Sequence, residues 1–190
     1  MILASQSPRR RELIALISPE FRMIPAQGEE ILPEGIPPEQ AVLLLSRQKA
    51  DEVRKREFPG GGAVPETIVA ADTVVAIDGE ILGKPHSAED AAEMLRLLSG
   101  REHSVYTGVT VISGEECVSF AERTAVEFFP LTEQEIASYV ATGEPMDKAG
   151  AYGIQGRGAL LVRRIDGDYY NVMGLPVGEL NQRLRTMGVN

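Results

Sequence analysis

Met1-Ile2-Leu3-Ala4-Ser5-Gln6-Ser7-Pro8-Arg9-Arg10-Arg11 opens the chain. The four apolar residues predict a short buried strand. A tight hydroxyl-rich loop follows, then a helix with Pro8 in its first position, where a missing N–H removes no hydrogen bond. Ser7 is the natural N-cap. The free N–H groups of such a helix start, with the helix dipole behind them, attract an anion. Arg9 and Arg10 stand in the first turn, where a cation opposes the dipole. A bound polyanion would relieve that conflict; a solvated basic turn is the plainer alternative.

Working outward, the first helix is expected to run to about Ile17. Phe21 to Pro25 reads as a short strand that enters the acidic loop Gly28-Glu29-Glu30. A second helix starts at Pro38, with Ala41, Leu44, Leu45 and Gln48 at helical spacing and Lys49 near its end. Phe58 to Gly62 is a turn-rich loop. Thr67 to Asp72 is an apolar run ending in a carboxylate; Thr73 to Ile77 continues it, and Asp78-Gly79 signals a hairpin. Ser87 to Asp90 has the character of a capping box ahead of a helix that Gly100 closes. Val105, Thr107, Val109 and Val111 alternate as a strand does, and Gly114-Glu115-Glu116 turns into another strand, from about Cys117 to Phe129. Thr132-Glu133-Gln134-Glu135 is a capping box for a helix ending at Gly143. A glycine-punctuated loop over Gly150, Gly153, Gly156 and Gly158 leads to a strand at Leu160 to Ile165, and a last helix begins near Pro176. Helical and strand signals alternate, so the fold class is α/β with a mixed sheet flanked by helices.

Composition narrows the functional classes. A chain of 190 residues, 43% hydrophobic and 25% charged, has the make-up of a globular protein with one core or two small lobes. No apolar run approaches the roughly 18 residues of a membrane span. The N-terminus lacks the apolar segment of a secretory signal, so a cytoplasmic location is expected. A net charge of −9 argues against a general nucleic-acid binder. The basic residues that matter must therefore converge locally on a small anion. Cys117 is the single cysteine, which excludes an internal disulfide, and His86 and His103 are too few for a histidine-rich metal cluster.

Asp72 is the foremost candidate for chemistry. A carboxylate at the end of a buried apolar strand is costly unless paired or metal-bound, and ligands of open α/β sheets bind at the carboxyl ends of strands. A structural Asp capping the next turn is the alternative. Glu29 and Glu30 form a second carboxylate source; if Glu30 meets Asp72, the two make a hard oxygen site suited to Mg²⁺ or Mn²⁺. Lys84, in Leu82-Gly83-Lys84-Pro85, and Lys49 could act as point charges toward phosphate or be ordinary surface lysines. The chain contains neither a P-loop nor a dinucleotide fingerprint. Gln155, within Asp147 to Gly156, offers a donor and an acceptor suited to a base edge, although the same loop could simply pack Tyr152 inward.

In order along the chain stand Ala4-Ser5-Gln6-Ser7-Pro8-Arg9-Arg10, Ala71-Asp72-Thr73-Val74-Val75, Gly83-Lys84-Pro85, Leu98-Ser99-Gly100, Thr107-Gly108-Val109, Asp147-Lys148-Ala149-Gly150-Ala151-Tyr152-Gly153-Ile154-Gln155-Gly156 and Asn171-Val172-Met173-Gly174-Leu175-Pro176. This ordered set resembles the Maf family of nucleoside triphosphate pyrophosphatases from end to end. The resemblance implies a two-lobed fold related to the inosine triphosphate pyrophosphatases, with the active cleft between the lobes. It implies a divalent-metal-dependent release of pyrophosphate from a nucleoside triphosphate, and a homodimer. Asp72 matches the family's catalytic carboxylate and Glu30 its partner at the metal. Ser5, Arg10, Lys49 and Lys84 match the phosphate-contacting set, and Arg9, Thr73 and Gln155 the positions associated with base choice. Thr73 with Gln155 resembles the branch acting on dTTP and UTP rather than the one acting on 7-methyl-GTP. The family pattern is departed from in the glycine-rich Phe58 to Pro65 loop and at Gln27-Gly28. Two other roles are to be weighed: a broader pyrophosphatase for modified nucleotides, and a septum-associated regulator acting by partner binding.

Overall fold

The computed structural model describes residues 1–189. In chain order the elements are β1 (Ile2–Leu3), α1 (Pro8–Ile14), β2 (Arg22–Met23), α2 (Pro38–Glu57), β3 (Val64–Ile77), β4 (Glu80–Leu82), α3 (Ala88–Leu98), β5 (Glu102–Gly114), β6 (Glu116–Phe128), α4 (Glu133–Val140), β7 (Val162–Asp166), α5 (Tyr169–Met173) and α6 (Val177–Thr186). Three short 3₁₀ turns lie between α4 and β7. No described helix is long and apolar enough to cross a membrane.

Local chemistry explains most boundaries. Ser7 caps α1 by accepting from the Arg10 N–H, with Pro8 in the first turn. Thr132 and Glu135 form the reciprocal capping box of α4. Asp78 and Gly79 both take positive φ, 53° and 85°, which is the twist a two-residue hairpin needs. Several boundaries differ from expectation. α1 stops at Ile14 rather than Ile17. α2 runs on to Glu57, so Lys49 sits past its middle and not near its end. The short helix α5 was unforeseen, because five residues carry too little periodicity to read.

All seven strands join one sheet, in the order β2-β1-β3-β5-β6-β7, with β4 also on β3. β1 is parallel to β2 and β3, whereas the pairs β3–β5, β5–β6 and β6–β7 are antiparallel. One edge of β3 is occupied by β5 from Ile68 to Ala76. The other edge is shared: β1 pairs with Ile68 and Val69, and β4 pairs with Val75 to Ile77. Between them the edge of β3 carries no strand, and that gap contains Asp72 and Thr73. Asp72 is thus not at the carboxyl end of its own strand, as expected from the apolar run; β3 continues for five residues beyond it. The strand that ends here is β1, which releases its chain into the Ser5–Ser7 loop beside the gap.

Side chains of a strand alternate between faces, and the core follows that alternation. Ile68 and Ala70 pack toward α2 with Ala50 and Val53. Val69 and Ala71 pack on the other face with Leu13, Ile14, Leu180 and Leu184 of α1 and α6, and Val75 and Ile77 with Leu95 and Leu98 of α3. Asp72 and Thr73 therefore point to opposite sides of the sheet.

Candidate active site

The Asp72 side is organised by α2. Lys49 donates from Nζ to Asp72 Oδ1 and lies 2.8 Å from Glu30 Oε1. The lysine and Asp72 side chains are 16% and 12% exposed, and Glu30 is 55% exposed, so the cluster is anchored inside and open at one corner. Its reach depends on Gly108, which pairs with Asp72 across β3 and β5. A Cβ at Gly108 would collide with the backbone of α2 at Val42 and Leu43. Only glycine lets the helix lie this close to the sheet at the level of Asp72.

The acidic loop is strapped to the same helix. The Glu52 carboxylate accepts from the Gln27 and Gly28 N–H groups at 2.7 and 2.8 Å. Gln48 bonds the N–H and the carbonyl of Ile31, and Arg56 donates to Pro25 O. A Cβ on Gly28 would stand 3.0 Å from Glu52 Oε2, at the end of a side chain that could give way. The straps leave Glu30, and not Glu29, facing Lys49. Partial burial works to raise the Glu30 carboxyl. The hydrogen bond and charge of Lys49, with Lys84 and Arg10 farther off, outweigh it and hold the group below its ordinary range.

The Thr73 side is built differently. Arg10 donates from Nε to Gly174 O (2.7 Å), from Nη1 to Ser5 Oγ (3.4 Å) and from Nη2 to Thr73 Oγ1 (2.9 Å). Thr107 Oγ1 lies 2.9 Å from Thr73 Oγ1 and donates its own proton to Asn171 O. The Thr73 proton must therefore go to Thr107, and the order of donors along this chain is determined. Asn171, fully buried, donates to Val105 O and to Thr124 Oγ1. Burial draws the Arg10 guanidinium below its ordinary range, with the Asp72 carboxylate acting the other way.

The conflict between the α1 dipole and its arginines is settled inside the molecule. Arg10 turns to the carbonyl at the C-terminal end of α5, where a cation is favoured. Arg9 lies 3.7 Å from Asp147 Oδ2. Ser7 already accepts from the Arg10 N–H, so phosphate contact here would rest on side chains more than on the seven-residue helix.

Ser5, Arg9, Arg10, Glu30, Lys49, Asp72, Thr73, Lys84 and Gln155 all line one open cleft of about 970 Å³. Of the two acidic-loop candidates, Glu30 is brought there and Glu29 is not. Tyr152 also takes the structural part foreseen for it, 5% exposed with its hydroxyl 2.7 Å from His103 Nε2. Glu144, Tyr139, Thr107 and Asn171 were given no role by sequence reasoning. Their partners lie on other elements; Thr107 and Asn171 stand in segments of the family resemblance, but nothing local announced a role for Glu144 or Tyr139.

Glu30 and Asp72 share one ammonium, so both carboxylates address the same point. That donor set fits a hard divalent cation, which takes one or two protein carboxylates and completes its shell with phosphate oxygens and water. Among the described residues no group of three or more His, Cys, Asp or Glu side chains could hold a metal by itself.

The family model of the Maf-like proteins matches residues 1–187. The chain belongs to the Maf family. Its relatives include proteins named dTTP/UTP pyrophosphatase. The one from Agathobacter rectalis is 50% identical over 204 residues, covering 100% of this chain and 98% of that protein. The one from Bacillus velezensis is 49% identical over 189 residues, covering 100% and 97%. Among solved structures, a HAM1 protein from Coxiella burnetii shares the fold, with a TM-score of 0.55 and 14% identity over 97% of this Maf chain and 98% of that one.

Proposed function

We propose that this Maf protein hydrolyses dTTP and UTP to the monophosphate and pyrophosphate. The observation that carries the reading is the convergence of Glu30 and Asp72 on Lys49 in the gap at the edge of β3, with Arg10 and Lys84 lining the same cleft. Near-half-identical relatives named for that activity support it.

In this mechanism a water attacks the α-phosphorus, the bond to the bridging oxygen breaks, and pyrophosphate leaves. Asp72 accepts the proton of the attacking water. A triphosphate competes with both carboxylates for the Lys49 ammonium, and each N–H drawn to phosphate frees a carboxylate oxygen. Lys84 adds a point charge. Arg10 has spent three of its five donors internally and keeps two for phosphate. A divalent cation, Mg²⁺ or Mn²⁺, held by Glu30 and Asp72 would neutralise charge on the triphosphate. Gln155 meets the base from the rim, with Arg9 lining the same cleft, while Thr73, its proton committed to Thr107, holds Arg10 in place for the phosphates.

The test is pyrophosphate release with Mg²⁺ or Mn²⁺ across dTTP, UTP, CTP, GTP, ATP and 7-methyl-GTP. Preference for dTTP and UTP is expected, with a loss of about 10³-fold in Asp72→Asn, the middle of the range for removing a general base. Near-normal turnover in that variant would remove Asp72 from the role. Preference for another base would keep the chemistry and overturn the substrate.

A further inference from the structure

The loop that carries Gln155 is closed by residues that play no part in the mechanism above. Glu144 Oε1 accepts from the Gly158 N–H and from the Tyr139 hydroxyl, each at 3.0 Å, and Oε2 accepts from the Arg157 N–H at 3.0 Å. The Tyr139 oxygen in turn accepts from the Gly153 N–H at 3.2 Å. Both ends of the Gly153–Gly158 loop are thus tied to one carboxylate, directly or through one phenol. The fit is close. At Gly156, where φ is +64°, a Cβ would stand 2.7 Å from Glu144 Oε2, and at Gly158 it would run into the carbonyl of Gly153.

The carboxylate itself is anchored at its base. Lys148 donates from Nζ to Glu144 O and to Asp147 Oδ1, both at 2.6 Å. Burial works to raise the Glu144 carboxyl, but the Arg157 and Gly158 N–H groups and Tyr139 outweigh it and keep it below its ordinary range. Burial pushes the Tyr139 phenol up, so it stays a donor.

We propose that Glu144, supported by Tyr139, is a positioning residue for base selection, fixing the Gly153–Gly158 loop so that Gln155 meets the base at one height in the cleft. The inference rests on the reading of Gln155 as the residue that meets the base. Loop closure adds no charge to the phosphate end of the cleft, so its loss acts on KM and on discrimination rather than on the chemical step.

The experiment measures kcat and KM with UTP and CTP for the unaltered chain, Glu144→Gln, Tyr139→Phe and Gln155→Ala. Glu144→Gln is expected to raise KM for UTP about tenfold and leave kcat within about threefold. It should also cut the UTP-to-CTP ratio of kcat/KM by about tenfold, the scale of one or two hydrogen bonds. Tyr139→Phe keeps the ring and is expected to move the same quantities in the same direction by less; it decides the matter if Glu144→Gln does not fold. A ratio unchanged in both variants, but lost in Gln155→Ala, overturns the role of Glu144 and leaves Gln155 standing. A fall in kcat alone, with the ratio intact, also overturns it. A ratio that survives Gln155→Ala overturns the reading of Gln155 and the inference with it.

Discussion

Asp72 and Thr73 are adjacent on β3, yet the two sides of the sheet treat them in opposite ways. On the α2 side three charged groups satisfy one another along an open cleft, Lys49 and Asp72 largely buried and Glu30 more than half exposed. On the α1 side a chain of hydroxyls and one amide runs from Arg10 into the interior, ending on the fully buried Asn171. Charges at the edge of water can exchange partners at modest cost, because water or phosphate replaces what is withdrawn. Buried neutral donors cannot, because an unsatisfied partner there costs about 1–3 kcal/mol. The same strand therefore offers one face whose charges can exchange partners and one that holds position.

Removing Lys49 breaks the comparison most forcefully if it is wrong. Lys49→Ala is expected to lower kcat/KM by about 10²–10³-fold, the usual consequence of deleting one preorganised charge at a reacting centre. Its melting temperature should fall less than that of the variant considered next, because Asp72 and Glu30 both front the cleft and water can take the place of the ammonium. A large loss of stability with little loss of rate would reverse the assignment of the two faces.

Asn171→Ala probes the closed face. It strips two donors from Val105 O and Thr124 Oγ1 in a fully buried place. The expected cost is about 2–3 kcal/mol, or a melting temperature lower by about 5–10 °C for a chain of this size. The carbonyl of Asn171 that receives Thr107 belongs to the backbone and survives the change, so kcat/KM per folded molecule is expected to stay within about tenfold.

The smallest effect belongs to the same face farther along β5. Burial pulls His103 down to about 4 from an ordinary 6.5. The unfolded chain takes up a proton on this ring below about pH 6.5, and the folded chain does not until about pH 4. Stability from this group is complete above pH 6.5 and declines as pH falls toward 4, by about 1.4 kcal/mol per unit. Thermal melts between pH 7 and pH 5 should show this slope, and a His103→Leu variant should flatten it. An equal slope in the variant would move the acid sensitivity elsewhere.

Much of the local structure was legible from residue order. Ser7 before Pro8, the Thr132 capping box and the Asp78-Gly79 turn work through neighbours within four positions, so their reading needs no fold. Of the nine site candidates, Asp72 stood out by its place in an apolar run; Lys49 and Lys84 read equally well as surface lysines, and the set as a whole came from the resemblance to the Maf family rather than from local pattern. Illegible were the places where distant segments meet. Asp72 looked like the last residue of its strand because the apolar run breaks there; that the strand continues and its neighbour stops instead is a property of β1 and β4 together. The conflict of Arg9 and Arg10 with the α1 dipole invited a ligand as its answer. The fold answers it with a carbonyl 164 positions away and with Asp147.

By itself, then, the sequence determined the element types and their caps and turns, because those depend on short-range sterics, on hydrogen bonding within a turn and on hydrophobic period; the set of residues expected at the cleft came from the ordered motifs of the family resemblance. Tertiary structure alone decided three further things: that Asp72 and Thr73 work on opposite faces, that Gly108 lets α2 carry Lys49 to Asp72, and that Glu144 closes the Gln155 loop. Each of these arises from a contact between elements far apart in the chain, whose cost and geometry exist only once the sheet has formed.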